Sequence, residues 1–253
     1  MSGLNKKKVT FENLNELHYY SRESFNALRT NIQFCGDQFK VISFTSCLEN
    51  EGKSNVVFTV ARSMAANGKK VLIVDADIRK SVLVSRYMVK EKTKGLSEYL
   101  SGQCKKDEIV YETNLDNLDL VFTGPSVPNP SELLGNRRME ELLAEAREVY
   151  DYVFVDLPPL GQVIDAAVVA AISDGAILVI QNAAISYKIA RTVKNQLLNS
   201  GVKILGAVLN KVDFSGKSKY GSYSKYKRYG KYSRYGKYRS YGDYGLVPKK
   251  EEK

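Results

Sequence analysis

Six short runs of apolar, mostly β-branched residues recur along the chain: Val41–Thr45, Val71–Val74, Leu118–Phe122, Tyr152–Val155, Ala176–Ile180 and Ile204–Leu209. They are almost continuously apolar, as strands buried on both faces are. Between them, Asn55–Asn67, Glu132–Glu148 and Tyr187–Asn199 carry helical spacing, and Gly68 and Gly201 stand where a helix end takes a positive φ. Strands alternating with helices predict an α/β fold, a mostly parallel sheet with helices on both faces. Leu14–Phe34 reads as an N-terminal helix outside that core. The most apolar stretch, Val163–Ile180, is interrupted by Asp165 and Asp174, so it reads as a buried helix and strand and not as a membrane span.

Beyond the last run the composition changes. Tyr220, Tyr223, Tyr226, Tyr229, Tyr232, Tyr235, Tyr238, Tyr241 and Tyr244 recur every third residue, separated almost only by Gly, Ser, Lys and Arg. A period of three serves neither a helical stripe nor a strand alternation, so the segment is expected to be a disordered, repetitive tail. From Phe214 to Lys253 there are twelve Lys or Arg and three Asp or Glu, a net of +9 against +10 for the whole chain. The basic character therefore belongs to the tail, and the folded part is near neutral.

Composition removes some chemistries. His18 is the only histidine, which argues against a histidine-centred triad or a zinc site and leaves His18 itself as a surface or packing residue. Cys35, Cys47 and Cys104 lack metal-like spacing and suit reduced thiols in a cytoplasmic protein. Met1–Thr10 is polar and basic and lacks the apolar core of a signal peptide.

The first run is followed by Ser46-Cys47-Leu48-Glu49-Asn50-Glu51-Gly52-Lys53-Ser54, set between a strand and a helix. That is the context of a Walker A loop: backbone N–H groups cradle phosphate oxygens, Lys53 reaches the β- and γ-phosphates, and the Ser54 hydroxyl ligates Mg²⁺. Cys47 replaces the usual first glycine, and Asn50 tolerates the left-handed conformation a tight loop needs. The second run ends in Asp75-Ala76-Asp77-Ile78-Arg79 and the fourth in Asp156-Leu157-Pro158-Pro159. In a parallel sheet these C-terminal strand ends share the ligand-binding edge. Carboxylates, a hydroxyl and phosphate oxygens form an oxygen-rich site suited to Mg²⁺. The sheet is thus expected to be of the P-loop NTPase type, binding ATP through Asn50, Glu51, Gly52, Lys53, Ser54 and Asn55.

Together these motifs resemble the bacterial tyrosine kinases of capsule and exopolysaccharide assembly, the CpsD/CapB-like group. Glu51–Ser54 looks like the family's Walker A, Val71–Arg79 its second Walker motif, and Val153–Asp156 with Pro158-Pro159 its Walker B. Gly95-Leu96-Ser97, Gly124-Pro125 and Pro128-Asn129-Pro130-Ser131-Glu132-Leu133-Leu134 also match, as does the tyrosine-rich tail. Asn50 and Asn55 depart from the family's usual Gly and Thr. A signature lysine of related partition and cell-division ATPases is replaced by Leu48.

The resemblance implies an ATP- and Mg²⁺-dependent protein-tyrosine kinase that phosphorylates the nine tail tyrosines. Lys53 would stabilise the transferring phosphoryl, with Asp75 first and Asp77 second as acceptors of the phenol proton. Mg²⁺ would be held by Ser54, Asp75 and Asp156, and Asn210 would contact adenine. It implies three parts: an N-terminal helical assembly segment (1–36), a kinase domain (37–213) and the tail (214–253). The assembly motif Glu-x-x-Arg-x-x-Arg appears as Glu23, Asn26 and Arg29, without its middle arginine. A homo-oligomer is implied, together with a membrane-embedded activator on a separate chain and an opposing phosphotyrosine phosphatase. The protein is expected in the cytoplasm, recruited to the inner membrane face through its partner. Two other readings stand beside this one. One is a P-loop ATPase switch whose tail is an adaptor. The other is a nucleic-acid-binding protein using the cationic aromatic tail, although no nucleic acid is expected as partner.

Overall fold

The computed structural model describes residues 7–12, 14, 18–91 and 93–212. Eight strands form one sheet: β1 (Lys7–Val9), β2 (Val41–Ser46), β3 (Val71–Asp75), β4 (Val110–Thr113), β5 (Leu118–Val121), β6 (Tyr152–Asp156), β7 (Gly175–Gln181) and β8 (Ile204–Asn210). Their spatial order is β1-β4-β5-β3-β6-β2-β7-β8. The block from β5 to β8 is parallel throughout, while β4 runs antiparallel to β5 and β1 runs parallel to β4. The expected mostly parallel sheet is present.

The strand runs lack polar alternation because each strand feeds two cores. Along β3, Val71 and Ile73 enter one core while Leu72 and Val74 enter the other; along β6, Tyr152 and Phe154 oppose Val153 and Val155 in the same way. Successive side chains of a strand point to opposite faces, so both sets must be apolar when both faces are covered. One face is covered by α1 (Tyr19–Phe34), α2 (Lys53–Ala66) and α3 (Leu83–Arg86). The other is covered by α4 (Leu96–Leu100), α5 (Pro130–Leu134), α6 (Arg137–Val149), α7 (Asp165–Ala170) and α8 (Tyr187–Asn199). Gly68 and Gly201 follow α2 and α8 with φ of +79° and +83°.

Several boundaries differ from expectation. The helix expected over 14–34 begins at Tyr19, directly after the exposed His18. It is not an appendage: Ile32 is buried, Phe25 and Leu28 pack on the core, and Arg29 reaches across to α2. With β1 extending the sheet, the expected division at 36/37 does not separate two bodies; one compact unit runs through Val212. The single helix expected over 132–148 is two, divided at Gly135-Asn136, where Asn136 Oδ1 accepts from the Met139 N–H at 3.2 Å and starts α6 afresh. Strands β1 and β4 escaped the sequence reading because they are short and lie at one side of the sheet, where only part of each strand is buried. The tail expected from residue 214, with its nine tyrosines, lies outside the described residues.

Candidate active site

Strand β2 is central and parallel to both neighbours, so its C-terminal end opens on the sheet edge that also carries the ends of β3, β6, β7 and β8. The loop that leaves it turns into α2 at Gly52, whose φ is +86°. A β-carbon on Gly52 would lie 2.3 Å from Asn210 Nδ2, so a side chain is excluded by space as well as by conformation. Asn50 sits at φ +61°, the left-handed conformation expected of it. No side chain caps α2, which leaves its N-terminal N–H groups available to an anion.

The loop is braced from within by Glu51. Its Oε2 accepts from the N–H groups of Cys47 and Leu48 at 2.6 and 2.8 Å, and its Oε1 accepts from the Gln181 N–H at 3.1 Å. Glu51 is therefore buried and ties the loop to β7, so only its backbone is presented to a ligand. Asn210 Nδ2 donates to the Glu51 carbonyl at 2.9 Å and fixes the loop from β8. Lys211 donates to the Asn50 carbonyl and, at 2.9 Å, to Gln181 Oε1. Glu51 and Asn210 are expected as ligand contacts; these bracing bonds, which join residues up to 161 positions apart, carry no local sequence signal. Cys47 is buried beside Glu51, and its thiol is pushed up to about 12 by burial and then by the Glu51 charge, so it packs and does not ionise.

The three predicted aspartates converge on Lys53. Its Nζ lies 2.6 Å from Asp156 Oδ1, 3.8 Å from Asp77 Oδ2 and 3.5 Å from Ser54 Oγ. Asp75 and Asp156 are each only 1% exposed, and Asp77 is 8% exposed. Asp75 takes hydrogen bonds from the Ser81 hydroxyl and from the Asp77 N–H. Burial, and then the neighbouring Asp156 charge, push Asp75 up to about 8, with Ser81 and Lys53 opposing. Burial also raises Asp77, with Lys53 opposing.

These groups border a cleft of about 500 Å³. Its lining includes the loop residues Asn50–Asn55, Asp77, Arg79, Val82, Pro158, Pro159, Val163, Asn210 and Lys211. Asp75 and Asp156 are not part of this lining, so of the three aspartates Asp77 is the one presented to the cleft. Among the described residues no cluster of three His, Cys, Asp or Glu side chains forms a metal cage. Mg²⁺ needs none: it binds through one or two carboxylates, water and substrate phosphates. The Ser54 hydroxyl, the Asp156 carboxylate and the uncapped helix end fit Mg²⁺ with a nucleotide.

A family model described as an AAA domain matches residues 39–204. The tyrosine-protein kinase CpsD of Streptococcus agalactiae is 41% identical over 203 residues, covering 80% of this chain and 88% of that protein. The chain belongs to the bacterial tyrosine-protein kinases. Solved structures place this bacterial tyrosine kinase fold in the same group. The kinase domain of Escherichia coli tyrosine kinase ETK superposes with a TM-score of 0.74 at 34% identity, covering 78% of each chain. The septum site-determining protein MinD from Pyrococcus horikoshii, solved with Mg-ADP, gives 0.61 at 25% identity over 71% of this chain and 72% of that one. Of the kinase's expected assembly residues, Glu23 accepts from Asn26 Nδ2 at 3.1 Å within α1. Arg29 donates to Ser63 Oγ at 3.1 Å on α2 and is half-buried. Among the described residues, no helix of this kinase is long and apolar enough to cross a membrane.

Proposed function

We propose that the chain uses Mg-ATP to phosphorylate the tyrosines of its own C-terminal tail, between subunits, and so regulates capsular or exopolysaccharide synthesis and export. One observation carries this reading. Lys53, Asp77 and the uncapped end of α2 border a single cleft at the sheet edge where β8 ends, ten residues before Tyr220. An extended stretch of that length reaches roughly 35 Å.

The chemistry divides among the chain's own groups. The loop backbone and α2 hold the phosphates, and Lys53 leaves Asp156 to meet the charge on the transferring phosphoryl. Ser54 would hold Mg²⁺ from the cleft and Asp156 from behind its surface, with Asp75 beside Asp156. Bound Mg²⁺ supplies charge neutralisation at the β- and γ-phosphates. Asp77 faces the cleft and, raised by burial, is a stronger base than an exposed aspartate. We therefore place it ahead of Asp75 as acceptor of the phenol proton. A free phenol has a pKa of about 10, so this acceptor is needed at neutral pH. Asn210 lines the cleft and is the residue that would contact adenine.

Each phosphate adds about −1.5 to −2 charge, so nine would add roughly −14 to −18 and reverse the tail's sign. A basic tail then favours assembly and a phosphorylated one release, with Glu23 and Arg29 of α1 at the contact. The activator is a membrane-embedded protein on a separate chain, which recruits the kinase to the cytoplasmic membrane face, and a phosphotyrosine phosphatase reverses the modification. The test mixes a Lys53→Met chain carrying an intact tail with an active chain lacking the tail, in Mg-ATP, with and without a cytoplasmic activator segment. Phosphotyrosine mapped by mass spectrometry on the Lys53→Met tail is the expected result. An unmodified tail at concentrations that permit assembly would exclude transfer between subunits, and ATP turnover without phosphotyrosine would replace the kinase by a switch.

A further inference from the structure

The segment Pro128–Leu134 stands out in the sequence, yet the chemistry above does not use it. Its Ser131, in the first turn of α5, donates its hydroxyl to Oδ1 of Asp165, the first residue of α7. Asp165 is 1% exposed and also receives Arg79, Nε to Oδ2 at 2.7 Å and Nη2 to Oδ1 at 3.1 Å. A buried carboxylate thus bridges two elements of one face to the arginine that follows β3. Burial opposes its charge, but the bonds from Arg79 and Ser131 prevail and hold it below the usual carboxylate range.

Arg79 is not consumed by this pairing. A guanidinium has five N–H donors in a rigid plane, and two are engaged by Asp165. Its side chain is 41% exposed and lines the same cleft as Lys53 and Asp77, whose walls also include Val82, Pro158, Pro159 and Val163. That wall offers apolar surface to an aromatic ring and a fixed cation to a phosphoryl group. The segment bearing Ser131 is itself pinned. Ser97 Oγ donates to the Pro125 carbonyl at 2.7 Å, and a β-carbon on Gly95 would lie 2.1 Å from the Gly124 nitrogen, so the chain at 124–125 is clamped against 95–97.

We propose that Arg79 contacts the transferring phosphoryl from the acceptor side of the cleft, and that Asp165 and Ser131 are positioning residues that fix its guanidinium there. This rests on the kinase reading above. A cation oriented in advance lowers the barrier without reorganising during transfer, which is why a second, neutral bond to the carboxylate matters. Ser131 and Asp165 act through Arg79 and touch neither nucleotide nor acceptor.

The experiment uses the full chain and measures single-turnover phosphotyrosine formation, affinity for a fluorescent ADP analogue, and melting temperature. Arg79→Ala should slow transfer by about a hundredfold, in the range for losing one preorganised donor. Ser131→Ala should slow it by about tenfold, as expected for one bond to a charged acceptor, and Ser131→Thr should restore the rate. ADP affinity should stay within about threefold in all of them, because the lost contact belongs to the transition state. The deciding measurement is the pair: in an Arg79→Ala background, Ser131→Ala should cause no further loss. Equal losses in both backgrounds would overturn the proposal, as would a loss that tracks ADP affinity or melting temperature. No phosphotyrosine from the unmodified chain would overturn the kinase reading itself; transfer by that chain with multiplying losses would overturn only the positioning role.

Discussion

A set of three buried carboxylates and a single one, Asp165, lie beside the nucleotide cleft, and their charge balance differs. Beneath the P-loop, Asp75, Asp77 and Asp156 lie around Lys53, with Lys53 bonded to Asp156 and paired with Asp77. Beside them, close enough for its charge to act on Asp77, Asp165 has a guanidinium and a hydroxyl bonded to it. The crowded cluster pushes Asp75 up to about 8, while the matched one holds Asp165 below its ordinary value. An excess of buried acid is costly without a further cation, so it suits a place that binds one from solution. A matched pair needs nothing more and suits a place that keeps an arginine in position. The carboxylates Asp75, Asp156 and Asp165 are equally inaccessible, but Arg79 is 41% exposed where Lys53 is 6% exposed, so partners and solvent access together separate the sites.

The largest effect expected from this contrast is at Lys53. Lys53→Met should reduce phosphotyrosine formation by on the order of a thousandfold, the scale of losing a central transition-state cation, while circular dichroism remains native. Normal phosphotyrosine in that variant would remove the crowded cluster from the chemistry. Next comes the division of labour among its acids. Asp77→Asn should lower transfer by about 10²–10⁴-fold at saturating Mg²⁺, the usual range for a lost proton acceptor. Asp75→Asn should chiefly raise the Mg²⁺ requirement, by about tenfold, as changes to groups behind a metal's ligands do. Equal rate losses for the two at saturating Mg²⁺ would erase the distinction between them.

A smaller effect concerns stability against pH, where the clusters should slope in opposite directions. Asp75 has a raised pKa in the folded chain, so between its unfolded value of about 4 and its folded value of about 8 the folded state holds the extra proton. Its contribution therefore falls as pH rises through that window. Asp165 is depressed, so its contribution is present above the unfolded value and is lost as pH falls through the folded one. Thermal melts of the nucleotide-free chain should show Asp75→Asn gaining on the unmodified protein from pH 5 to pH 8, by a few degrees. Asp165→Asn should instead flatten the loss on the acid side. Parallel curves for both variants would contradict the opposed balance. The smallest change is a control outside both clusters: Asn136→Ala removes the α6 cap and should cost about 1 kcal/mol in denaturant unfolding with transfer unaffected.

Much of this was legible before any coordinates. The β2–α2 loop, the aspartates ending β3 and β6, and the parallel order all follow from apolar runs that stop in acids at one end. The left-handed Asn50 followed from residue type alone. Strands β1 and β4 were not legible, since they are short and only partly buried. The break between α5 and α6 was signalled by Gly135-Asn136, yet continuous helical spacing on either side concealed it. Glu51 reads as one more loop residue, and only folding brings Gln181 onto its carboxylate.

The sequence by itself determined the architecture, the phosphate loop and the set of acids, because local periodicity and the residues that end each run are one-dimensional information. It could not decide which acid faces the cleft, which charges are matched, or what Ser131 does. Those depend on residues brought together over long separations: Lys53 with Asp156 across 103 positions, Arg79 with Asp165 across 86. Burial and partner count set how a carboxylate behaves, and both exist only once the sheet has closed around it.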